Sequence, residues 1–144
     1  MIKISAFSKR YEKFEAVKKV TLNVSKGEIF GFIGPNGAGK TTTIRFLVTL
    51  LPPTSGTASI DGNDVVRNVQ DVRRAIGYMP DSFGVYNGMR VWEFLDFFAV
   101  AYGISRPQRE RLVGDVLALV DLHHKRHDFV NALSRGMKQR LCLA

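Results

Sequence analysis

The run Gly34-Pro35-Asn36-Gly37-Ala38-Gly39-Lys40-Thr41 constrains the fold more than any other stretch of the chain. It satisfies G-x-x-x-x-G-K-[ST] at every defined position. Ahead of it, Glu28-Ile29-Phe30-Gly31-Phe32-Ile33 is a short apolar run that predicts a buried strand. Behind it, residues 42–51 place Ile44, Leu47, Val48 and Leu51 at helical spacing, and Pro52-Pro53 ends the helix. A strand, a glycine loop and a helix in that order gather backbone N–H groups and a positive helix end around one anion. Lys40 adds a mobile charge for β- and γ-phosphates, and the Thr41 hydroxyl is a Mg²⁺ ligand of the right kind. Together these residues predict binding of a nucleoside triphosphate.

With 144 residues the chain is long enough for one domain with its own core. No apolar run approaches the ~20 residues of a membrane-spanning helix, and Met1 to Ser5 lacks a signal-peptide core, so a cytosolic location is expected. Cys142 is the single cysteine, which leaves no internal disulfide, and its apolar neighbours suit a packed side chain. The net charge is +8, part of it at Lys3, Lys9, Arg10, Lys13, Lys18, Lys19 and Lys26. These cations are scattered over polar positions, which reads as a solvated face before a membrane or nucleic-acid surface. Asn23-Val24-Ser25 is a glycosylation sequon in form only for a cytosolic chain.

Apolar and polar residues alternate over roughly 1–30, at Ile2 and Ile4 and again at Val20, Leu22 and Val24, which predicts antiparallel strands. Thr54-Ser55-Gly56 reads as a turn, Thr57-Ala58-Ser59-Ile60 as a short strand, and Ile76-Gly77-Tyr78-Met79 as another. From residue 91 the texture becomes helical. Val91, Leu95, Phe98, Ala99 and Tyr102 share one face, and Gly103 stops that helix. A second helix starts at Pro107 with a stripe of Leu112, Val113, Val116, Leu117, Leu119, Val120 and Leu122. A third starts at Ser134 as N-cap and carries Met137, Leu141 and Leu143-Ala144. The expected organisation is an α/β core over 1–90 and a helical portion over 91–144.

Nucleotide hydrolysis by such a loop ordinarily needs an apolar strand ending in Asp. Val116-Leu117-Ala118-Leu119-Val120-Asp121 imitates one, but its surroundings are helically periodic and Leu122 follows the acid. No catalytic residue is therefore expected within the chain. His123 and His127, four apart, could share a helix face as metal ligands, yet no third ligand stands at a recognisable spacing. They read instead as a basic helix end.

Leu133-Ser134-Arg135-Gly136-Met137-Lys138-Gln139-Arg140-Leu141 resembles the signature segment of ATP-binding cassette proteins, the ATPase subunits of ABC transporters. Leu51 to Gly56 resembles the link after that family's first helix, and Ile76 to Pro80 the run into its glutamine loop. The resemblance covers essentially the whole chain, and Tyr86 to Ile104 looks most like exporters with separate membrane subunits. It implies a P-loop NTPase core with N-terminal antiparallel strands and a helical subdomain, an α/β fold incomplete at its C-terminal side. It further implies that Tyr11 stacks on adenine, that Asn36 to Thr41 cradle phosphates, and that Thr42 reaches the α-phosphate. Ser134 and Gly136 would contact the γ-phosphate of ATP held by a second, opposing subunit. Mg²⁺ would be bound by Thr41 and by Asp81, which stands where the family has glutamine. The surface from Asp81 to Arg90 would receive a membrane subunit on the cytoplasmic face of the cell membrane, and no nucleic-acid partner is implied.

Two further departures are Arg135, in place of the signature's first glycine, and Met137, in place of its usual glutamine. Arg135 could strengthen ATP binding or splay the dimer. Two alternatives to a transport ATPase stay open: a truncated ATP-binding or dimerisation module without turnover, and a nucleic-acid-associated ATPase of the same type.

Overall fold

The computed structural model describes residues 1–80, 84 and 88–144. The chain divides into two compact units, Met1–Tyr78 and Met79–Ala144.

In the first unit, β1 (Ile2–Tyr11) and β2 (Phe14–Val24) form a long antiparallel hairpin, joined by β3 (Ser55–Ile60) and a two-residue β4 (Asn63–Asp64). Among the described residues these make one four-stranded sheet in the order β2-β1-β3-β4. The hairpin pairs Tyr11 with Phe14 and Arg10 with Glu15 but Lys9 with Val17, so β2 carries Ala16 as an extra, bulged residue. Helix α1 (Lys40–Leu47) follows the glycine loop, and α2 (Val69–Ala75) follows β4. Before α2, Asp64 Oδ1 accepts from the N–H groups of Val66 and Arg67 at 2.8 and 2.9 Å. Those bonds, Arg67's first, hold its carboxyl below the usual carboxylate range.

One core serves this unit: Ile4, Phe7, Val17, Phe46, Ala58, Ile60, Val65 and Val72 are all buried. Phe7 of β1 and Phe46 of α1 lie face to face with centroids 4.1 Å apart and planes 9° apart. That stack fastens the helix behind the glycine loop to the sheet. At Gly56, φ is +86° and a Cβ would lie 2.4 Å from the Ala6 carbonyl oxygen, so β1 and β3 approach closely only because this residue has no side chain.

Two expected strands are corrected. Residues 28–33 and 76–79 are neither helix nor strand, and Ile29 and Ile33 are almost fully exposed. A strand exists through its ladder, and among the described residues none pairs with either segment. Ser55 and Gly56, read as a turn, open β3 instead. The helix after the loop ends at Leu47, well short of Leu51, with Thr49 at φ +64°. Its buried face is Thr43 and Phe46, while Ile44 is exposed.

The second unit packs α3 (Val91–Ala101), α4 (Arg106–Leu119) and α5 (Arg135–Leu143) around Val91, Phe94, Leu95, Val113, Leu117, Val120, Leu122, Val130, Leu133 and Leu141. Gly103 follows α3 with φ +75°, and Pro107 sits in the first turn of α4. Phe98, Tyr102, Leu112 and Leu119, expected inside, are exposed. Val116 to Leu119 is helical, and Asp121 beyond it takes φ +55° and pairs with Arg140 at 3.2 Å. The imitation of an acidic strand is therefore the end of a helix. His123–Lys125 forms a single 3-10 turn, so His123 and His127 share no α-helical face. Among the described residues no helix is long and apolar enough to cross a membrane.

Candidate nucleotide site

The loop from Gly34 to Gly39 is shaped by its glycines. Gly39 has φ +85°, and a Cβ there would lie 2.6 Å from the Ala16 carbonyl oxygen and 2.8 Å from Val17 Cγ2. The bulge in β2 thus presses directly on the last loop residue, and only glycine fits. Helix α1 begins immediately after it. The Thr43 N–H is bonded to Gly39 O at 2.9 Å, and the Thr43 hydroxyl donates to the same oxygen at 2.9 Å. The N–H groups of Lys40, Thr41 and Thr42 come before this first closed turn and have no intrahelical carbonyl to bond. They stand at the positive end of the helix dipole, where an anion is favoured by both effects.

Lys40 folds back over the loop. Its Nζ donates to Gly34 O at 2.6 Å and to Pro35 O at 2.7 Å. Ala38 N–H also bonds Pro35 O, at 3.2 Å, so the loop is held as a ring around the ammonium. An ammonium has three donors, and exchanging a neutral carbonyl for an anionic phosphate oxygen adds ion-pair attraction to a bond already charge-assisted on the donor side.

A groove of about 280 Å³ joins the hairpin tip to this loop, lined by Tyr11, Phe14, Ala16, Asn36, Gly37, Gly39, Lys40, Thr41 and Thr42. The structure brings Tyr11 together with Asn36, Gly37, Gly39, Lys40, Thr41 and Thr42; Gly34 and Pro35 adjoin through the lysine, and Ala38 through its bond to Pro35. Phe14 and Ala16 are groove residues that motif reasoning passed over. The signal was present in the spacing: Phe14 lies three residues beyond Tyr11, across a two-residue turn.

Ser134 and Gly136 belong to the second unit, at the start of α5. Ser134 Oγ caps the helix by accepting from Met137 N–H at 3.3 Å. Met137 also packs its side chain against the helical core, which accounts for an apolar residue at that position. Replacing Ser134 with alanine is expected to remove about 1 kcal/mol of stability through the lost cap. A denaturant titration read by circular dichroism measures it. Asp81, the second expected Mg²⁺ ligand, lies outside the described residues. Cys142 is half-buried, and desolvation raises its thiol pKa, consistent with a packed, unreactive side chain.

The family described as ABC transporter matches residues 17–144. The uncharacterized ABC transporter ATP-binding protein YxlF of Bacillus subtilis (strain 168) is 41% identical over all 144 residues, which cover 47% of its length. The bacitracin transport ATP-binding protein BcrA of Bacillus licheniformis is 38% identical, again over the whole chain and 46% of its own length. The chain spans about half the length of these curated relatives. Among solved structures, a dimeric bacterial ABC transporter cassette superimposes with a TM-score of 0.85 at 26% identity, covering 99% of this chain and 67% of that one. The family match spans residues 17 to the end of the chain, well over half of it, and the chain therefore belongs to the ABC transporter family.

Proposed function

We propose that this chain holds ATP, with Mg²⁺, in the groove between Tyr11 and the Gly34–Thr41 loop, and that the intact protein hydrolyses it to power transport. The observation that carries this reading is the groove itself. It joins an exposed aromatic ring to a glycine loop, a lysine and the open N-terminus of α1. Tyr11 would stack on the base, and Asn36 to Thr41 would receive the phosphates. Lys40 would leave the loop carbonyls for the β- and γ-phosphates, and Thr42 would reach the α-phosphate. Thr41 fits the Mg²⁺ position by its chemistry, as a hydroxyl at the start of the helix that faces the phosphates. A Mg²⁺ held there would supply charge neutralisation to the bound triphosphate.

The residues lining the groove would bind and orient the nucleotide. Ser134 and Gly136 would complete an opposing subunit's site, in keeping with the dimeric cassette that this chain resembles. Export through separate membrane subunits, on the cytoplasmic face of the membrane, fits the bacitracin and multidrug transport proteins among the relatives.

The test is photocrosslinking of a labelled ATP analogue. Label is expected on a peptide containing Tyr11, chased by ATP with Mg²⁺ and not by AMP, which lacks the phosphates that Lys40 reads. Equal protection by AMP would remove the loop from the proposal.

A further inference from the structure

The hairpin tip holds a second aromatic ring that the stacking role of Tyr11 leaves unexplained. β1 ends at Tyr11 and β2 begins at Phe14, and the two are directly paired across a turn of Glu12 and Lys13. Paired residues project from the same face of a ladder with Cβ atoms ~5 Å apart. Both side chains line the groove that runs to Lys40. Phe14 is 63% exposed and Tyr11 44%, so the chain keeps two large rings in water at the mouth of one groove. Glu12 holds the turn in the left-handed region at φ +48°, which fixes how the two strands meet.

The Tyr11 ring is itself constrained. Lys9 Nζ stands over it, 5.3 Å from the centroid, while donating to Pro52 O at 2.8 Å. An ammonium anchored in this way covers one face of the phenol ring, so a stacked base would take the other, free face. A base lying on that free face reaches the neighbouring Phe14 ring with its edge or its second face. The contact area then depends on the size of the base: a purine presents two fused rings to two aromatic walls, and a pyrimidine one.

We infer that Phe14 is a specificity-determining residue of the nucleotide site, forming with Tyr11 a two-walled aromatic clamp that favours purine over pyrimidine nucleoside triphosphates. The inference rests on the groove being the ATP site, as proposed above, and adds the residue that grades the base. Phe14 is exposed at the tip and belongs to neither core cluster, so its removal leaves both cores intact.

The experiment measures dissociation constants of ATP, CTP and inorganic tripolyphosphate, all with Mg²⁺, for the parent chain, Phe14→Ala, Phe14→Tyr and Lys40→Ala. Phe14→Ala is expected to weaken ATP about tenfold, the order that loss of one base–aromatic contact produces. CTP should weaken much less, so that the ATP-to-CTP preference shrinks, and tripolyphosphate should bind unchanged. Phe14→Tyr is expected to restore the preference, because the ring returns. An unchanged ATP-to-CTP ratio in Phe14→Ala, with ATP still bound and still lost on Lys40→Ala, would overturn the clamp and leave the ATP site standing. Tripolyphosphate and ATP bound equally by the parent and by Lys40→Ala would overturn both.

Discussion

Lys40→Ala is expected to weaken Mg²⁺–ATP binding by about a hundredfold, the largest functional effect available from a single residue of this chain. The estimate follows from the number and type of bonds. In the proposed site the ammonium would make at least two charge-assisted hydrogen bonds to phosphate, each worth ~1.5–3 kcal/mol in net terms. Two such bonds at the lower figure already correspond to about a hundredfold. The folded chain loses little in exchange, since the bonds of Lys40 to Gly34 O and Pro35 O lie at a part-exposed loop where water substitutes. A fluorescent ATP analogue titrated against both proteins reads the affinity, and circular dichroism establishes that the fold is retained. Lys40→Arg retains the charge but presents a planar fork where the ring of loop carbonyls closes around a compact ammonium, so it should recover only part of the affinity. Unchanged affinity in Lys40→Ala would place the phosphates elsewhere.

The loop, its lysine and the aromatic at the hairpin were legible because each is a local rule. Positive φ at Gly37 and Gly39 needs glycine, a phosphate needs cations and free N–H groups, and capping needs Ser134 three residues before a helical N–H. Residues 28–33 and 76–79 were misread because apolar composition reports a preference for burial, whereas a strand also needs a neighbour to bond. The phase of α1 was misread for a different reason. Ile44, Leu47, Val48 and Leu51 form the obvious apolar stripe, yet Thr43 and Phe46 face the core. The contact of Gly39 against Ala16 and Val17 sets how the helix leaves the loop, and that contact joins residues far apart in sequence. Thr43 is tolerated inside because its hydroxyl is bonded to Gly39 O. Phe14 was harder to read: its spacing from Tyr11 suits a two-residue turn, but Glu12-Lys13 lacks the glycine or asparagine that marks a tight hairpin, so the spacing alone did not single out the pair.

Phe46→Ala is the substitution expected to cost the most stability, and it also tests how the nucleotide loop is supported. Phe46 is 1% exposed and stacked on Phe7, itself fully buried. A stacked pair of rings adds only about 0.5–1.5 kcal/mol beyond the burial of its side chains, so the stack contributes mainly through burial and close packing. Truncation to alanine removes that burial and leaves a cavity, together ~3–5 kcal/mol. Against the ~5–15 kcal/mol by which domains are usually stable, this is a large fraction, and the melting temperature should fall by about 10 °C. Phe46→Leu refills most of the space without a π face, and should lose only ~1–2 kcal/mol. A loss in Phe46→Leu as large as in Phe46→Ala would mean that the ring interaction dominates after all. The same pair of variants reads the link to function. Helix α1 carries Lys40, Thr41 and Thr42, and Phe46 is its main anchor to the sheet. ATP affinity measured well below the melting point should therefore fall in Phe46→Ala and return in Phe46→Leu. Affinity that stays at the parent value in Phe46→Ala would show that the loop is held by the Gly39–Ala16 contact and its own hydrogen bonds, independently of the core behind it.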